Sequence, residues 1–524
     1  MNKKQPISIA YVFYVSLIVA LGGFLMGFDA SVISGVVKFI EPEFNLSKIE
    51  LGWAVASLSL TATFAMMTAG PLSDKFGRKV ILKCAAALFF LSAIASAFAP
   101  NFLTLVIARM LGGLGVGAAL IIAPMYIAEI GPAKYRGRMV SLNQLNIVLG
   151  ISVAFFTNFL ILKATDWDNQ FIETLQLDSS NWRWMLGIEA IPALLYFICL
   201  SFVPESPRWL IMKGKYDKAL VTLKKAQGEQ EANEQLAQIT LSLSTDKNPN
   251  KGSILDLLKP SMRLVMVVGI SIAILQQITG INAVFFYAPM IFEQTGIGTD
   301  ASFIQAILVG ITNVVFTLVA IALIDKIGRK LLLVIGVSGI VVCMFTLAYQ
   351  FNAATYTLTA QSLAPLASSI DITSLQTIIG TTFTSDLTFK AALLELLGST
   401  QAASYESSLV AAAIQMNGAV ILLSILGFVA CFAVSLGPVM WVLFSELFPN
   451  RIRGIAISFV GLINSGVSFL VQLLFPWELA NLGAAFTFAF YGGFALIGLA
   501  IILKFLPETK GKSLEELETI LIKD

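Results

Sequence analysis

The 524-residue sequence contains no histidine, few charged residues and only four cysteines. The absence of histidine excludes histidine-based catalytic triads, histidine metal sites and histidine proton relays. No nucleophile motif stands in for them, so we expect neither an enzyme nor a protein with a metal or another cofactor. A net charge of +2 gives no electrostatic attraction for nucleic acids. The cysteines lie inside apolar runs and indicate small core residues, without a disulfide framework or paired zinc spacing: Cys84, Cys199, Cys343 and Cys431.

Charged residues make up 13% of the chain and apolar residues 57%, whereas soluble domains have about 25% and about 45–50%. This composition excludes an ordinary soluble protein. A membrane-spanning helix needs about 20 residues, so the apolar content suffices for about twelve spans. We therefore predict an all-α polytopic membrane protein with twelve transmembrane helices. The predicted spans cover residues 11–37, 51–72, 80–99, 102–130, 139–162, 183–203, 262–292, 301–324, 331–350, 414–447, 455–476 and 484–506.

Basic residues cluster after every second predicted span. Lys75 and Lys79 follow the second span, and Lys326 and Lys330 follow the eighth, whereas the alternate loops carry few basic residues. Loops rich in lysine and arginine lie on the cytoplasmic side of a membrane. We therefore predict a multi-pass protein of the inner (plasma) membrane, with both termini in the cytoplasm.

Three motifs occur twice in the same order along the chain, which indicates two related halves. The differences in their spacing match the lengths of two loops. A repeat of this kind predicts a substrate site between the halves, near the middle of the bilayer. Asp74-Lys75-Phe76-Gly77-Arg78-Lys79 recurs as Asp325-Lys326-Ile327-Gly328-Arg329-Lys330, Glu129 before Arg136 recurs as Glu446 before Arg453, and Pro204-Glu205-Ser206 recurs as Pro507-Glu508-Thr509.

The repeat divides the chain into an N-terminal six-helix half, residues 1–203, and a C-terminal six-helix half, residues 261–524. Residues 204–260 between them are charged and helix-prone, and they predict a cytoplasmic helical domain. An insert at about 351–413 is rich in serine, threonine, alanine and leucine. We expect it to lie outside, with short interfacial helices and no span.

Four motifs carry a resemblance to a known family. Gly70-x-x-x-Asp74-x-x-Gly77-Arg78-Lys79 resembles the signature loop of the major facilitator superfamily. The resemblance covers the whole chain apart from the insert and implies the major facilitator fold with sugar transport by alternating access. The other three motifs resemble the sugar porter family, which includes bacterial xylose–proton and glucose–proton symporters and animal glucose facilitators: Pro204-Glu205-Ser206-Pro207-Arg208-Trp209-Leu210, Gln276-Gln277-Ile278-Thr279-Gly280-Ile281-Asn282 and Pro507-Glu508-Thr509-Lys510-Gly511.

Amide side chains in the seventh span suit a neutral, hydroxyl-rich sugar, because an amide both donates and accepts hydrogen bonds. Gln276, Gln277 and Asn282 surround Gly280, and Pro289 follows, so we expect a broken or flexible helix that lines a cavity. The alternative is that these amides only join helices. By resemblance, the sugar contacts also include Gln144, Asn313, Trp441 and Asn464. Ser465 and Met26 stand where relatives carry aromatic residues, which leaves the identity of the sugar open.

Asp29 lies inside the first predicted span, where a charged side chain is expensive unless it is paired or functional. It lies about 12 Å from the outer end of that span, and Arg109 lies about 10 Å into the fourth span, at 1.5 Å per residue. The similar depth predicts an ion pair. By resemblance, proton-coupled members carry this aspartate and arginine, so Asp29 is the predicted proton acceptor and Arg109 its tuning partner. A permanent structural ion pair is the alternative.

Acidic and basic residues occupy matched cytoplasmic helix ends in both halves. Their placement predicts ion pairs that hold the cytoplasmic side closed while the cavity faces outward. The alternative is that they serve topology and solubility alone. These gate residues are Asp74, Arg78, Glu129, Arg136, Asp325, Arg329, Glu446 and Arg453.

Together, the sequence predicts a proton–monosaccharide symporter whose partners are the sugar, the proton as coupling ion and the lipid bilayer. We expect it to function as a monomer. Two alternatives stay open: a facilitator in which Asp29 is only structural, and a sensor that binds sugar without transporting it. The short sequence after Pro507 disfavours the sensor. Xylose, glucose, galactose, arabinose and inositol are not separated by these residues.

Overall fold

Long apolar helices make up most of the chain in a computed structural model that describes residues 9–132, 135–166, 174–245, 254–366, 370, 372–449 and 452–510. Twelve helical stretches in these ranges are long and apolar enough to cross a membrane. The predicted all-α polytopic fold is thereby confirmed. The candidate spans are Ala10–Glu43, Lys48–Phe76, Arg78–Ala97, Phe102–Ile130, Arg138–Ala164, Leu177–Cys199, Pro260–Glu293, Thr299–Ile324, Arg329–Ala353, Gly418–Leu447, Arg453–Asn481 and Gly483–Phe505.

Two spans are broken where a proline interrupts the backbone hydrogen bonds. Proline has no N–H, and its ring clashes with the carbonyl four residues earlier. Pro192 stands four residues after Ile188 in the sixth span, and Pro438 four residues after Val434 in the tenth. The sixth span consists of Leu177–Gly187 and Ala190–Cys199, and the tenth of Gly418–Val434 and Leu436–Leu447.

The seventh span is broken at a glycine, as the sequence predicts. Its segments are Arg263–Ile278 and Ile281–Glu293, and Gly280 between them has a φ of 88°, in the left-handed region. Glycine adopts this conformation without the steric penalty that other residues incur. A Cβ at Gly280 would also lie 2.5 Å from the ring of Tyr491 in the twelfth span. The break is therefore fixed by both backbone conformation and packing.

By contacts, the chain divides into two units. Unit 1 draws on residues 1–31, 57–154 and 183–253. Its core includes Phe89, Tyr126 and Tyr196, all fully buried. Glycines of the fourth span allow close helix packing there, since a Cβ at Gly113 would lie 2.2 Å from the backbone oxygen of Leu58.

The described residues between the sixth and seventh spans are mostly helical, and a separate domain at 204–260 stays a prediction. Leu210, Ile211 and Ala219 form a small buried core, against which Trp209 and Leu236 pack. The side of the membrane on which this segment lies stays a prediction. Its helices are Pro207–Met212, Tyr216–Gln227 and Glu229–Thr245, followed by 3₁₀ turns at Ile254–Leu258 and Pro260–Met262.

Unit 2 draws on residues 32–56, 155–182 and 254–524. It therefore groups one end of the first, second, fifth and sixth spans with the C-terminal half. Lys38 Nζ lies 2.6 Å from Glu293 Oε1, and the rings of Trp53 and Phe469 are 5.5 Å apart. This contact-based division differs from the sequence repeat, and the six-helix halves at 1–203 and 261–524 stay a prediction.

The insert at 351–413 folds around a core of its own rather than as the expected short interfacial helices. Tyr356, Leu375, Phe389 and Leu409 are buried in it. The strand Ile414–Gln415 belongs to this fold, so the tenth span begins at Gly418 and not at residue 414 as predicted. The strands β1 (Thr355–Thr357), β2 (Thr382–Phe383) and β3 (Ile414–Gln415) pair antiparallel in the order β2-β1-β3, with the helices Ala360–Leu363 and Asp386–Ala413 and 3₁₀ turns at Ala364–Leu366 and Ile372–Leu375.

Candidate functional site

Asp29 and Arg109 form an ion pair inside unit 1, between the first and fourth spans. Arg109 Nη1 donates to Asp29 Oδ1 at 3.2 Å, and Nη2 donates to the Asp29 backbone oxygen at 3.4 Å. Both residues are nearly fully buried, at 1% and 2% exposure. Gly112 makes room for the carboxylate, because a Cβ there would lie 2.6 Å from Asp29 Oδ2. The structure thus brings together the two predicted proton-site residues, and their role in coupling stays a prediction.

Glu189, at the break of the sixth span, is a third buried charged group in the same unit. It is 3% exposed and interacts electrostatically with both Asp29 and Arg109. In the part of the chain that the structure describes, Glu189 Oε1, Asp29 Oδ2 and Arg109 Nε have no hydrogen-bond partner. We call these three residues the Asp29 site.

The sequence analysis missed Glu189, although its signal is present. Between Arg183 and Glu205 it is the only charged residue in a long apolar run. An acidic residue inside a spanning segment is a functional candidate by default. The charges that predict the orientation of the chain lie at the ends of spans, whereas the Glu189 carboxylate lies within the sixth span.

The charges of the Asp29 site balance only when one proton is present. Two carboxylates and one guanidinium would carry a net charge of −1 if all were ionised. A buried unpaired charge is costly, and arginine does not deprotonate in proteins. The neutral state therefore has one proton, on either Asp29 or Glu189. This arrangement is chemically able to take up and release a proton within the membrane.

Four of the predicted sugar-binding amides form one hydrogen-bonded cluster in unit 2, which we call the amide cluster: Gln276, Gln277, Asn282 and Asn464. Gln277 Nε2 donates to Gln276 Oε1 at 3.2 Å and to Asn464 Oδ1 at 3.1 Å. Asn282 Nδ2 donates to Gln277 Oε1 at 2.7 Å, and Asn464 Nδ2 donates to Gln276 Oε1 at 2.8 Å. The cluster therefore joins both segments of the seventh span to the eleventh.

Backbone oxygens orient the amide cluster. Gln276 Nε2 donates to the oxygen of Leu436, at the break of the tenth span, at 3.2 Å. Asn464 Nδ2 donates to the oxygen of Ala273 at 2.8 Å. Because a backbone oxygen only accepts, these two bonds determine which way each amide points. The broken segments of the seventh and tenth spans therefore position the amides.

Two residues that the sequence analysis did not select extend the amide cluster. Ser468 Oγ accepts from Asn282 Nδ2 at 2.6 Å and from Gln472 Nε2 at 2.8 Å. Ser468 and Gln472 follow Asn464 at intervals of four residues on the eleventh span. This spacing places three polar side chains on one helix face and is the signal that was available in the sequence.

The remaining predicted sugar contacts are not part of the amide cluster. Asn313 is buried in the eighth span, and no hydrogen bond joins it to the cluster among the described residues. Trp441 is 46% exposed and meets Phe444 edge-on, with ring centroids 6.0 Å apart. Gln144 is partly buried on the fifth span, in unit 1.

Arg78, at the start of the third span, is the centre of an ion-pair cluster in unit 1. Its Nε and Nη2 donate to the two carboxylate oxygens of Glu129, each at 3.1 Å, which is a bidentate pair. Arg78 Nη1 also lies 2.8 Å from Asp74 Oδ1. Ser206 Oγ hydrogen-bonds to Glu129 as well. These contacts hold the ends of the second, third and fourth spans together.

Glu205 caps the N-terminus of the third span. Its Oε1 accepts from the backbone N–H groups of Arg78 and Lys79 at 3.1 and 3.2 Å. A carboxylate at this position satisfies free N–H groups and interacts favourably with the helix dipole. Burial raises the pKa of Glu205, although these N–H donors and Arg78 act in the opposite direction.

Unit 2 contains the same arrangement around Arg329. Arg329 Nη2 lies 3.1 Å from Glu446 Oε1, and Thr509 Oγ1 donates to Glu446 Oε2 at 2.6 Å. Glu508 accepts from the backbone N–H groups of Arg329 and Lys330 at 2.9 and 3.2 Å. Burial raises the pKa of Glu508, but its backbone N–H donors outweigh burial and the pKa is lowered overall. The sequence repeat is therefore also a repeat of contacts.

The described gate residues make their contacts within one unit. Arg453 Nε donates to the backbone oxygen of Phe448 at 3.0 Å. The side chains of Arg136 and Asp325 lie outside the described residues. The observed pairs fix helix ends inside each unit, and closure of the cytoplasmic side stays a prediction.

Comparison with known proteins identifies relatives along nearly the whole chain. A family model described as sugar (and other) transporter matches residues 15–383 and 372–521. The arabinose-proton symporter of Bacillus subtilis (strain 168) is 34% identical over 516 residues, which cover 98% of this chain and 96% of the relative. The D-xylose-proton symporter of Escherichia coli (strain K12) is 35% identical over 547 residues, with the same coverage.

Solved structures of an Escherichia coli transporter share the fold. The inward open conformation of the xylose transporter XylE has a TM-score of 0.73 at 32% identity, covering 97% of this chain and 100% of that one. The proton:xylose symporter XylE bound to 6-bromo-6-deoxy-D-glucose has a TM-score of 0.68 at 34% identity, covering 98% and 99%. The likeness thus extends over all twelve candidate spans.

Proposed function

This chain belongs to the sugar transporter family of the major facilitator superfamily, and on that premise we propose that it is a proton-coupled monosaccharide symporter. The observation that carries the proposal is the Asp29 site, where two buried carboxylates accompany one arginine. Symport needs a group that changes its charge inside the membrane, whereas facilitated diffusion does not. Relatives named as arabinose-proton and D-xylose-proton symporters support a monosaccharide as the substrate, and both of the sugars named are pentoses.

In this proposal, the amide cluster binds the hydroxyl groups of the sugar. The amides bond to one another in the structure, and sugar hydroxyls would replace some of these bonds with equivalent ones. Such an exchange is nearly neutral in free energy, which suits a site that must both bind and release its substrate. We assign the same role to Gln144, Asn313 and Trp441 on the resemblance, with the tryptophan ring facing the C–H side of the sugar.

The Asp29 site supplies the coupling. When the proton binds Asp29, this carboxylate loses its charge, and its bond with Arg109, which joins the first and fourth spans, weakens. A ligand shifts a conformational equilibrium only through its different affinity for the two states. The proton would therefore favour the state in which Asp29 and Arg109 are less tightly joined. No cofactor takes part.

The proposal includes location and gating. The protein would act as a monomer in a bacterial inner membrane, with both termini cytoplasmic, and the Arg78 and Arg329 clusters would form its cytoplasmic gate. Basic residues are concentrated at the span ends that carry these clusters, which supports this orientation. Loosening of the ion pairs within each cluster would accompany opening toward the cytoplasm in the alternating-access cycle.

Sugar uptake into proteoliposomes, with and without an inward proton gradient, tests the proposal. Labelled xylose, arabinose, glucose, galactose and inositol form the panel, and wild type is compared with Asp29→Asn. We expect one or more sugars to accumulate above equilibrium only with the gradient. Asp29→Asn should abolish accumulation while sugar exchange continues, because the amide carries no proton.

Asp217→Asn is the matched control, since Asp217 is an exposed aspartate on the helix Tyr216–Gln227, outside the candidate spans. It should accumulate sugar like the wild type. Equilibration that ignores the gradient in every variant would make the protein a facilitator. Absence of uptake for the whole panel would contradict the substrate class.

A further inference from the structure

Three polar side chains follow one another along a single face of the eleventh span. Asn464, Ser468 and Gln472 are separated by four residues each and are 5%, 9% and 1% exposed. Asn464 belongs to the amide cluster, whereas Ser468 and Gln472 have no part in the sugar site as derived so far. Buried polar groups in a membrane are retained where they have hydrogen-bond partners.

Ser468 determines where the Asn282 amide points. Both hydrogens of Asn282 Nδ2 are used, one toward Gln277 Oε1 at 2.7 Å and the other toward Ser468 Oγ at 2.6 Å. Asn282 Oδ1 accepts no hydrogen bond from any described residue. The amide is thus held with its oxygen available to accept a bond from a ligand hydroxyl.

Gln472 in turn holds Ser468. Gln472 Nε2 donates to Ser468 Oγ at 2.8 Å, so the hydroxyl oxygen accepts two bonds and both of its lone pairs are used. The backbone oxygen of Gln472 accepts from Tyr287 in the seventh span at 2.8 Å. The second segment of the seventh span is therefore joined to the eleventh span at Asn282 and again at Tyr287.

We propose that Ser468 and Gln472 are positioning residues for sugar binding, which act by holding the Asn282 oxygen toward the sugar. The inference rests on the proposed function, since it concerns the same site. It assigns the two residues an effect on affinity rather than on the rate of the conformational cycle. Neither side chain needs to touch the sugar for this effect.

Ser468→Ala tests the inference in counterflow exchange with the sugar that wild type transports. Loss of the acceptor frees the Asn282 amide to rotate, so we expect the KM to rise about tenfold. The maximal exchange rate should stay within about twofold of wild type, because no hydrogen bond of the Asp29 site changes. Ser468→Thr keeps the hydroxyl and should restore the KM.

Ser424→Ala is the matched control. Ser424 is also a buried serine inside a span, but its Oγ bonds only the Val420 oxygen of its own helix, at 2.7 Å. The KM of Ser424→Ala should equal that of wild type. Gln472→Met provides a second variant of similar size without the donor, and we expect about a threefold rise in KM.

The outcomes separate this inference from the function on which it rests. A rise in KM for Ser468→Ala, with rescue by threonine and none in the control, supports it. If wild type transports sugar but both Ser468→Ala and Gln472→Met keep the wild-type KM, the inference is wrong and the symporter stands. A fall in maximal rate at constant KM would also overturn it. If wild type transports no sugar, both fail together.

Discussion

Single polar residues inside the spans are held by other polar side chains and by backbone oxygens. Asn464 Nδ2, for example, is within hydrogen-bond distance of both Ala273 and Gln276. Some buried hydroxyl and amide atoms inside the spans, such as Ser34 Oγ and Asn158 Oδ1, have no partner among the described residues either. The Asp29 site differs in that its three unpartnered atoms belong to ionisable side chains. Unsatisfied groups of this kind cost free energy and are retained where a function requires them. The incomplete bonding of these ionisable groups supports the proposal that charge changes at the Asp29 site.

Glu189→Gln should uncouple sugar uptake from the proton gradient. Without the second carboxylate, Asp29 and Arg109 are neutral as an ion pair and need no proton for charge balance. We expect accumulation driven by the gradient to fall at least about tenfold, while sugar exchange stays within about threefold of wild type. Uptake measured across a series of external pH values checks this.

The control for that experiment is Glu395→Gln, since Glu395 is exposed on the helix Asp386–Ala413. It should behave as wild type at every pH. If Glu189→Gln also accumulates sugar normally, Glu189 is a structural neighbour, and Asp29 alone carries the proton.

For single residues, the sequence predicted which side chains contact each other but not how these side chains are arranged. The Asp29–Arg109 pair followed from counting residues to span ends, although the first helix continues to Glu43 instead of ending at residue 37. Gln276, Gln277 and Asn282 followed from residue type and the expected break at Gly280, and Asn464 followed from the resemblance. Ser468 escaped notice because a serine in a span is common and its role depends on a partner far away in the chain.

Helical elements here owe their breaks to particular residues. The breaks at Pro192 and Pro438 could be predicted from the sequence. Each proline lacks the N–H group that would bond to the carbonyl oxygen four residues earlier. The fold of the insert could not be predicted from the sequence, because its sheet depends on pairing between short segments that are distant along the chain. Thr355–Thr357 pairs with residues 382–383 and 414–415, which are separated from it by irregular chain.

Gly280→Ala should slow transport and destabilise the protein. The left-handed backbone at Gly280 costs an alanine about 1–2 kcal/mol, and its Cβ would lie 2.5 Å from the Tyr491 ring. We expect a lower maximal transport rate together with a lower apparent unfolding temperature. Gly466→Ala is the control, because a Cβ on this helical glycine meets no atom within 4 Å. Equal rates for both variants would contradict a fixed break in the seventh span.

The insert should lose stability in acid through Glu406. Burial raises the pKa of Glu406, but the charges of Lys390 and Lys48 outweigh it, and the pKa is lowered overall. A lowered folded-state pKa gives stability that is present above the ordinary glutamate value of about 4.3 and is lost as the pH falls through the folded-state value. Glu406→Gln should therefore weaken the insert at neutral pH but not in acid.

Hydrogen exchange of Asp386–Ala413, corrected for intrinsic rates, measures this effect at about pH 7 and at an acidic pH below the lowered folded-state pKa of Glu406. The exchange of wild type and Glu406→Gln should differ at the higher pH and converge at the lower one. Glu395→Gln, exposed on the same helix, again serves as the control. A difference that is the same at both pH values would show that the lost interaction is not one of charge.

For the whole molecule, the twelve spans and their repeat could be read from hydropathy and three duplicated motifs. What the sequence did not predict is the grouping of unit 2, in which ends of N-terminal spans join the C-terminal half. Lys38 and Glu293 pair there across 255 residues. Neither residue belongs to a duplicated motif, so the repeat carries no information about this contact.

Charge exchange between Lys38 and Glu293 should show how much this contact contributes. Glu293 is nearly buried, with a side-chain exposure of 7%, so Lys38→Glu leaves two acids together and Glu293→Lys two bases. We expect each single variant to lower the apparent unfolding temperature by several degrees. The double variant should recover at least about half of the loss, because it restores opposite charges. Additive losses in the double variant would mean that the two side chains act independently.

The helix caps have a consequence for the order in which the protein is made. The third span receives its cap from Glu205, 127 residues later than Arg78, and the ninth receives its cap from Glu508, 179 residues later than Arg329. During synthesis, each of these helices is therefore made before the carboxylate that caps it in the folded protein. The cap arrives only after the last span of the same half has been translated. Each half is thus completed by its final segment, and a ribosome stalled before Glu508 would leave the ninth span without its cap.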